Sequence, residues 1–163
     1  MISAFEKAER ALPAQKPRHR IEHYFVPPEG GLARMRALEA LIVTQPSFLA
    51  RMRRSILGAF GAGAGKMYPE RSVLVAGVRW IVCSDAPTGH VSPWIGMANA
   101  VDRGASLGAP IGPDESLSHR QALGSYIRGG AFAMKQEDWR GGLAPGKAAD
   151  FIVVDHDPCD DTN

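Results

Sequence analysis

Three short apolar segments separated by helical patterns constrain the fold of this chain more than any other feature. The segments are residues 18–23, 41–45 and 78–83, and each ends in a polar loop. Residues 32–40 and 71–76, which lie between the segments, have apolar side chains at helical spacing. This alternation of strand and helix predicts a parallel sheet with crossover helices, that is, an α/β fold.

Polar side chains stand where these predicted strands end. His23 closes the first, Gln45 closes the second, and Asp85 follows the third, with His90 further along the same loop. The carboxyl ends of parallel strands meet at one edge of a sheet, so His23 and Asp85 can share one metal-bound water there. Two plainer interpretations stay open, namely that His23 is a structural imidazole and that Asp85 caps a turn.

Three motifs occur in a fixed order along the chain. They are Arg-Ile-Glu-His at 20–23, Ser-Asp-Ala-Pro at 84–87, and Gly-Leu-Ala-Pro-Gly-Lys-Ala-Ala-Asp at 142–150. In these motifs the chain resembles the amidohydrolase superfamily, and within it the amidohydrolase 3 group, which includes deformylases of N-substituted formamides. The resemblance runs from about residue 1 to residue 158.

The resemblance implies a fold that this chain is too short to complete. A (β/α)₈ TIM barrel typically needs about 250 residues, and the chain has 163. We therefore expect residues 1–140 to form the C-terminal part of such a barrel, about its last three βα units. Residues 141–158 would be the closing segment of a small composite β-sandwich, with a strand at 151–154, and residues 159–163 a polar tail.

The resemblance also implies roles for the residues at the strand ends. His23 would bind a divalent metal, with zinc expected, and Asp85 would touch the metal and transfer protons. Position rather than the resemblance predicts that Gln45 and His90 contact the substrate. The alternatives are that Gln45 pairs with loop backbone and that His90 is a plain exposed loop residue. The family's His-x-His pair, its bridging Lys or Glu and its strand-five His have no counterpart here, so the chain carries an incomplete metal site. Catalytic zinc centres use three protein ligands.

Composition excludes several other functions. The net charge of +2 gives no reason to expect binding to nucleic acid or to a membrane surface. The N-terminus resembles neither a signal peptide nor a membrane span. Cys83 and Cys159 are far apart and form no Cys-x-x-Cys pattern, which favours a reducing, cytoplasmic location.

Three functions remain open from the sequence. The first is the C-terminal portion of a metal-dependent amidohydrolase that cleaves non-peptide carbon–nitrogen bonds of small amides or formamides. The second keeps the scaffold but cleaves lactones or phosphoesters. The third is an inert remnant, or a docking subunit of a split barrel whose partner is a complementary N-terminal half or a second copy of this chain.

Overall fold

The computed structural model describes residues 1–13 and 17–160. Three short parallel strands form one sheet: β1 (Arg20–Ile21), β2 (Leu41–Thr44) and β3 (Arg79–Val82). They are hydrogen-bonded in the order β1-β2-β3, with Ile21 beside Ile42 and Ile42 beside Trp80. The predicted α/β class, parallel pairing and strand order are thereby confirmed.

Helices precede, connect and follow the strands. In chain order these α-helices are α1 (Ile2–Ala11), α2 (Gly31–Ala37), α3 (Ser47–Arg51), α4 (Arg53–Phe60), α5 (Glu70–Val75), α6 (Pro93–Asp102), α7 (His119–Gly124) and α8 (Gly130–Ala133). A 3₁₀ helix spans the glycine-rich segment Gly61–Lys66. No helix in the described ranges is long and apolar enough to cross a membrane.

Both faces of the sheet are covered. On one face, Ile42, Trp80 and Val82 pack with the helices in the main core. On the other face, Leu41, Val43 and Ile81 form a smaller cluster, against which Phe132 packs. These strand residues are almost fully buried, and each such side chain contributes about 1.5–3 kcal/mol to folding.

The last helical run begins with a capping box, in which the Ser118 hydroxyl and the Gln121 side chain each bond the other residue's backbone N–H. The run continues from α7 through a π-helical turn, Ser125–Gly129, into α8. At Gly129 an added Cβ would lie 2.9 Å from the Trp80 carbonyl oxygen, so only glycine lets the helix approach β3 this closely.

The Phe132 ring contacts arginine side chains near the first strand and in the last strand. The Arg18 guanidinium lies 3.8 Å from the Phe132 ring centroid, and that of Arg79 lies 4.0 Å from it. Arg18 also donates to the Phe132 carbonyl oxygen and forms an ion pair of 2.7 Å with Glu137. The ring therefore connects the residues before β1 with the first residue of β3.

A buried ion pair connects the end of α6 with the start of α5. Arg103 and Glu70 have fully buried side chains, and Nη1 lies 2.6 Å from Oε2. The guanidinium also donates to the carbonyl oxygens of Met67, Tyr68 and Ile111. Burial raises the pKa of Glu70 to about 8, and the adjacent guanidinium opposes part of that rise.

The strand predicted at residues 151–154 is not formed. These residues have no regular secondary structure, and the exposed fraction of Val153 reaches 88%. A strand needs a neighbour for its backbone N–H and C=O groups, and no strand in the described residues pairs with this segment. The division at residues 140 and 141 stays a prediction, and 161–163 of the predicted tail lie outside the described residues.

Candidate metal and proton-transfer site

The carboxyl ends of the three strands bring three predicted site residues to one edge of the sheet. His23 follows β1, Gln45 follows β2 directly, and Asp85 follows β3. His23 and Asp85 both have a left-handed backbone, with φ of 56° and 53°. This conformation turns the chain away from the strand direction and is uncommon for residues other than glycine.

The two outer residues face each other across the end of β2. His23 Nε2 lies 3.9 Å from Asp85 Oδ2, and both side chains are partly exposed. The separation is too long for a hydrogen bond. It leaves two potential metal-ligand atoms close together and partly open to solvent.

Gln45 determines which nitrogen of His23 faces Asp85. Its side-chain oxygen lies 3.1 Å from His23 Nδ1, and an amide oxygen can only accept, so Nδ1 carries the proton. In the neutral ring Nε2 then keeps a lone pair on the side of Asp85. Metal-binding histidines are commonly oriented in this way by a partner on their other nitrogen.

Gln45 is itself fixed, because it is 1% exposed and its amide Nε2 donates to Cys83 Sγ at 3.1 Å. Both ends of the amide thus bond to protein groups rather than face the solvent. The predicted substrate contact of Gln45 stays a prediction, and this geometry gives it no support. Sequence reasoning missed the link to Cys83, although the register that pairs Thr44 with Val82 places the next residues side by side.

Aromatic side chains line the His23 side of the site. The ring of Phe25 meets the imidazole edge-on, at 5.2 Å between centroids. Phe25 in turn packs against Phe48 and Tyr68. Burial raises the pKa of the Tyr68 phenol well above its ordinary value, so this wall is apolar and uncharged.

Two other histidines, His90 and His19, have their contacts outside the pair formed by His23 and Asp85. His90 is exposed, and its Nδ1 accepts a hydrogen bond of 3.1 Å from the backbone N–H of Ser92. Its predicted contact with substrate stays a prediction. His19 stacks on Phe5 at 4.3 Å between centroids, and its Nε2 lies 3.8 Å from Glu9.

The donor atoms at the site suit a divalent metal in kind but not in number. Imidazole nitrogen and carboxylate oxygen are the ligands of hydrolytic zinc centres. Within residues 1–13 and 17–160, however, no three His, Cys, Asp or Glu side chains are grouped to hold a metal ion. Within the described residues, His23 and Asp85 therefore do not make a complete metal site.

Known proteins resemble this chain in both sequence and fold. The chain is 35% identical over 153 residues to the N-substituted formamide deformylase of Arthrobacter pascens, a match that covers 86% of this chain and 26% of that protein. Its structure also matches that of an uncharacterized metal-dependent hydrolase from Pyrococcus horikoshii, with 26% sequence identity and a TM-score of 0.81. The match covers 96% of this chain and 32% of the hydrolase. A second such hydrolase, from Pyrococcus furiosus, has a TM-score of 0.76, 26% identity and coverages of 97% and 32%.

These matches establish how much of a relative the chain represents. It spans between a quarter and a third of the length of these proteins. A family model described as "Amidohydrolase family" matches residues 1–161, which is nearly the whole chain. Because this model covers nearly all of its residues, the chain belongs to the amidohydrolase family.

Proposed function

We propose that this chain is the C-terminal portion of a metal-dependent hydrolase that cleaves carbon–nitrogen bonds other than peptide bonds. The observation that carries the proposal is the approach of His23 Nε2 to Asp85 Oδ2, at 3.9 Å, on the edge where the three strands end. The remaining metal ligands would come from a complementary N-terminal segment or from a second copy of the chain. The sheet would then be the last three strands of a TIM barrel.

A bound divalent metal, with zinc expected, would polarise the substrate carbonyl and lower the pKa of a water molecule. Asp85 would accept a proton from the attacking water and pass it to the leaving nitrogen. The partial exposure of Asp85 suits this role, because the carboxylate can reach both water and substrate. His23 would supply the Nε2 lone pair as a ligand, in the tautomer that Gln45 selects.

The substrate class is proposed from the relatives. The deformylase of Arthrobacter pascens is named for its action on N-substituted formamides, and we expect a small amide or formamide here. The two cysteines form no disulfide, which agrees with the proposed cytoplasmic location. We do not expect nucleic acid or a membrane to be a partner of this chain.

A chimera tests the proposal, because this chain alone lacks a full set of ligands. The chain replaces its matched segment in the Arthrobacter pascens deformylase, and formate release from an N-substituted formamide is measured together with zinc content. Asp85→Asn should lower the rate by about 10²–10⁴-fold, the usual contribution of a general base. His23→Ala should lower both zinc content and rate.

Asp138→Asn is the matched control, since Asp138 is exposed and lies far along the chain from the strand ends. It should leave both readings unchanged. A folded, zinc-loaded chimera that releases no formate would contradict the proposed reaction. Equal rates in the Asp85 and Asp138 variants would contradict the role of Asp85.

A docking subunit without chemistry of its own is the second candidate. It is favoured by the two-ligand site and by the exposed apolar residues 151–154. In that case the purified chain should carry well under one zinc ion per molecule by elemental analysis and should bind a complementary segment. Stoichiometric, tightly held zinc in the chain alone would contradict this candidate.

A further inference from the structure

A separate cavity of about 750 Å³ lies beside the loop that follows Asp85. Ser47 and Arg51 line it from α3, His90 lines it from the loop, and Ile95 lines it from α6. Neither His23 nor Asp85 is among its lining residues. Because α3 follows β2 and the loop follows β3, the cavity belongs to the same end of the sheet as the candidate site.

Two side chains with hydrogen-bond donors, Arg51 and His90, are among the residues that line this cavity. The Ser47 hydroxyl is enclosed and has no hydrogen-bond partner in the described residues, so it does not present a donor to the open cavity. His90 Nδ1 accepts from Ser92, so the proton of the neutral ring is on Nε2, which can donate. Arg51 is exposed and contributes a permanent positive charge.

The rest of the lining is apolar and carries no acid. It consists of small aliphatic and proline side chains together with a glycine: Ala50, Ala86, Pro87, Gly89, Val91 and Ile95. Donors without a competing carboxylate suit an anionic oxygen group. Apolar walls around them suit a short hydrocarbon attached to it.

The loop between the candidate site and the cavity is held in one shape. The Gly89 N–H donates to the Asp85 carbonyl oxygen at 2.9 Å and closes a turn. An added Cβ at Gly89 would lie 1.8 Å from the Ser84 carbonyl oxygen and 3.1 Å from the Phe48 ring. The glycine therefore lets the turn pack closely against Ser84 and Phe48.

We propose that this cavity binds a carboxylate group of the substrate, with Arg51 and His90 as its donors. The assignment of the bound molecule as substrate rests on the proposed function. Under it, the hydrolysed compound is an amide that also bears a carboxylate on a short apolar chain. Binding of the carboxylate needs neither the metal nor the remaining ligands.

Binding of a simple probe to the full chain tests the proposal without any hydrolysis. Butyrate is titrated and its Kd is measured by saturation-transfer difference NMR, with butyramide as the uncharged probe of the same shape. Wild-type chain should bind butyrate at least tenfold more tightly than butyramide. Arg51→Gln should weaken butyrate binding by about 10–100-fold, the usual effect of losing a charged hydrogen bond.

Arg54→Gln is the matched control, because Arg54 is also exposed but lies outside the cavity. It should leave the Kd for butyrate unchanged, and circular dichroism should show all variants folded. Equal binding of the two probes, equal losses in both arginine variants, no binding of butyrate, or tighter binding of inorganic phosphate would each overturn the proposal. A failed chimera with intact butyrate binding would refute only the proposed hydrolysis.

Discussion

Replacement of Arg103 by methionine tests how much the buried ion pair contributes to stability. Methionine keeps an unbranched stem in the same space but removes the guanidinium and all its hydrogen bonds. Above pH 8, where Glu70 is ionised, its carboxylate would be left buried without its cation, which costs about 3–5 kcal/mol in comparable pairs. Small domains have about 5–15 kcal/mol of stability in total, so Arg103→Met should remove a large part of it.

A second substitution separates the charge from the hydrogen bonds. In Arg103→Met with Glu70→Met, no unpaired charge remains, and the double variant should be more stable than Arg103→Met alone. Recovery should be incomplete, because the carbonyl oxygens of Met67, Tyr68 and Ile111 still lose their donor. Each lost hydrogen bond costs about 1 kcal/mol.

Urea unfolding followed by tryptophan fluorescence measures these differences above pH 8, where Glu70 is ionised, at one fixed protein concentration so that association cannot shift the midpoint. Arg54→Met is the control, because an exposed arginine should change the free energy of unfolding by no more than about 0.5 kcal/mol. If Arg103→Met unfolds within about 1 kcal/mol of wild type, the pair does not stabilise the fold as argued. A double variant less stable than Arg103→Met would refute the charge argument.

Three other predictions concern single features. Burial raises the pKa of Glu70 from its usual 4.5 to about 8, so the folded state holds a proton that the unfolded chain has lost. The free energy of unfolding should therefore fall as the pH rises from about 4.5 to 8, and Glu70→Gln should flatten this dependence in urea titrations. Gln45→Leu should reduce the fraction of His23 protonated at Nδ1, seen in ¹⁵N NMR of the ring, while an unchanged tautomer would contradict the role of Gln45. Size-exclusion chromatography should show oligomer or aggregate, because residues 151–154 expose apolar surface; a cooperatively melting monomer would contradict this.

The sheet was predictable because its signals are local. Apolar runs bounded by helical patterns identify β1, β2 and β3, and parallel pairing brings their ends together whatever the intervening sequence. The positions of His23 and Asp85 follow from that rule alone. The 3.9 Å between His23 Nε2 and Asp85 Oδ2 does not follow from it, because this distance depends on left-handed backbone at both residues, which no sequence pattern predicts.

What the sequence did not predict depends on partners distant in the chain. Arg103 could have been an exposed helix-end residue, and only the fold reveals that Glu70 lies against it. The apolar run at 151–154 has strand propensity, but propensity cannot supply a neighbouring strand. Gln45 was expected to contact the substrate, whereas the pairing of β2 with β3 brings its amide to Cys83.

The position of Phe132 affects the order in which the sheet can form. Its carbonyl oxygen bonds to Arg18 across 114 residues of sequence, and contacts of such separation close late because loop closure costs entropy. During synthesis the first strand therefore emerges long before the ring that links it to the third. Until residue 132 is available, the nascent sheet has neither this ring nor the two guanidinium contacts, and its strands stay open to wrong pairings.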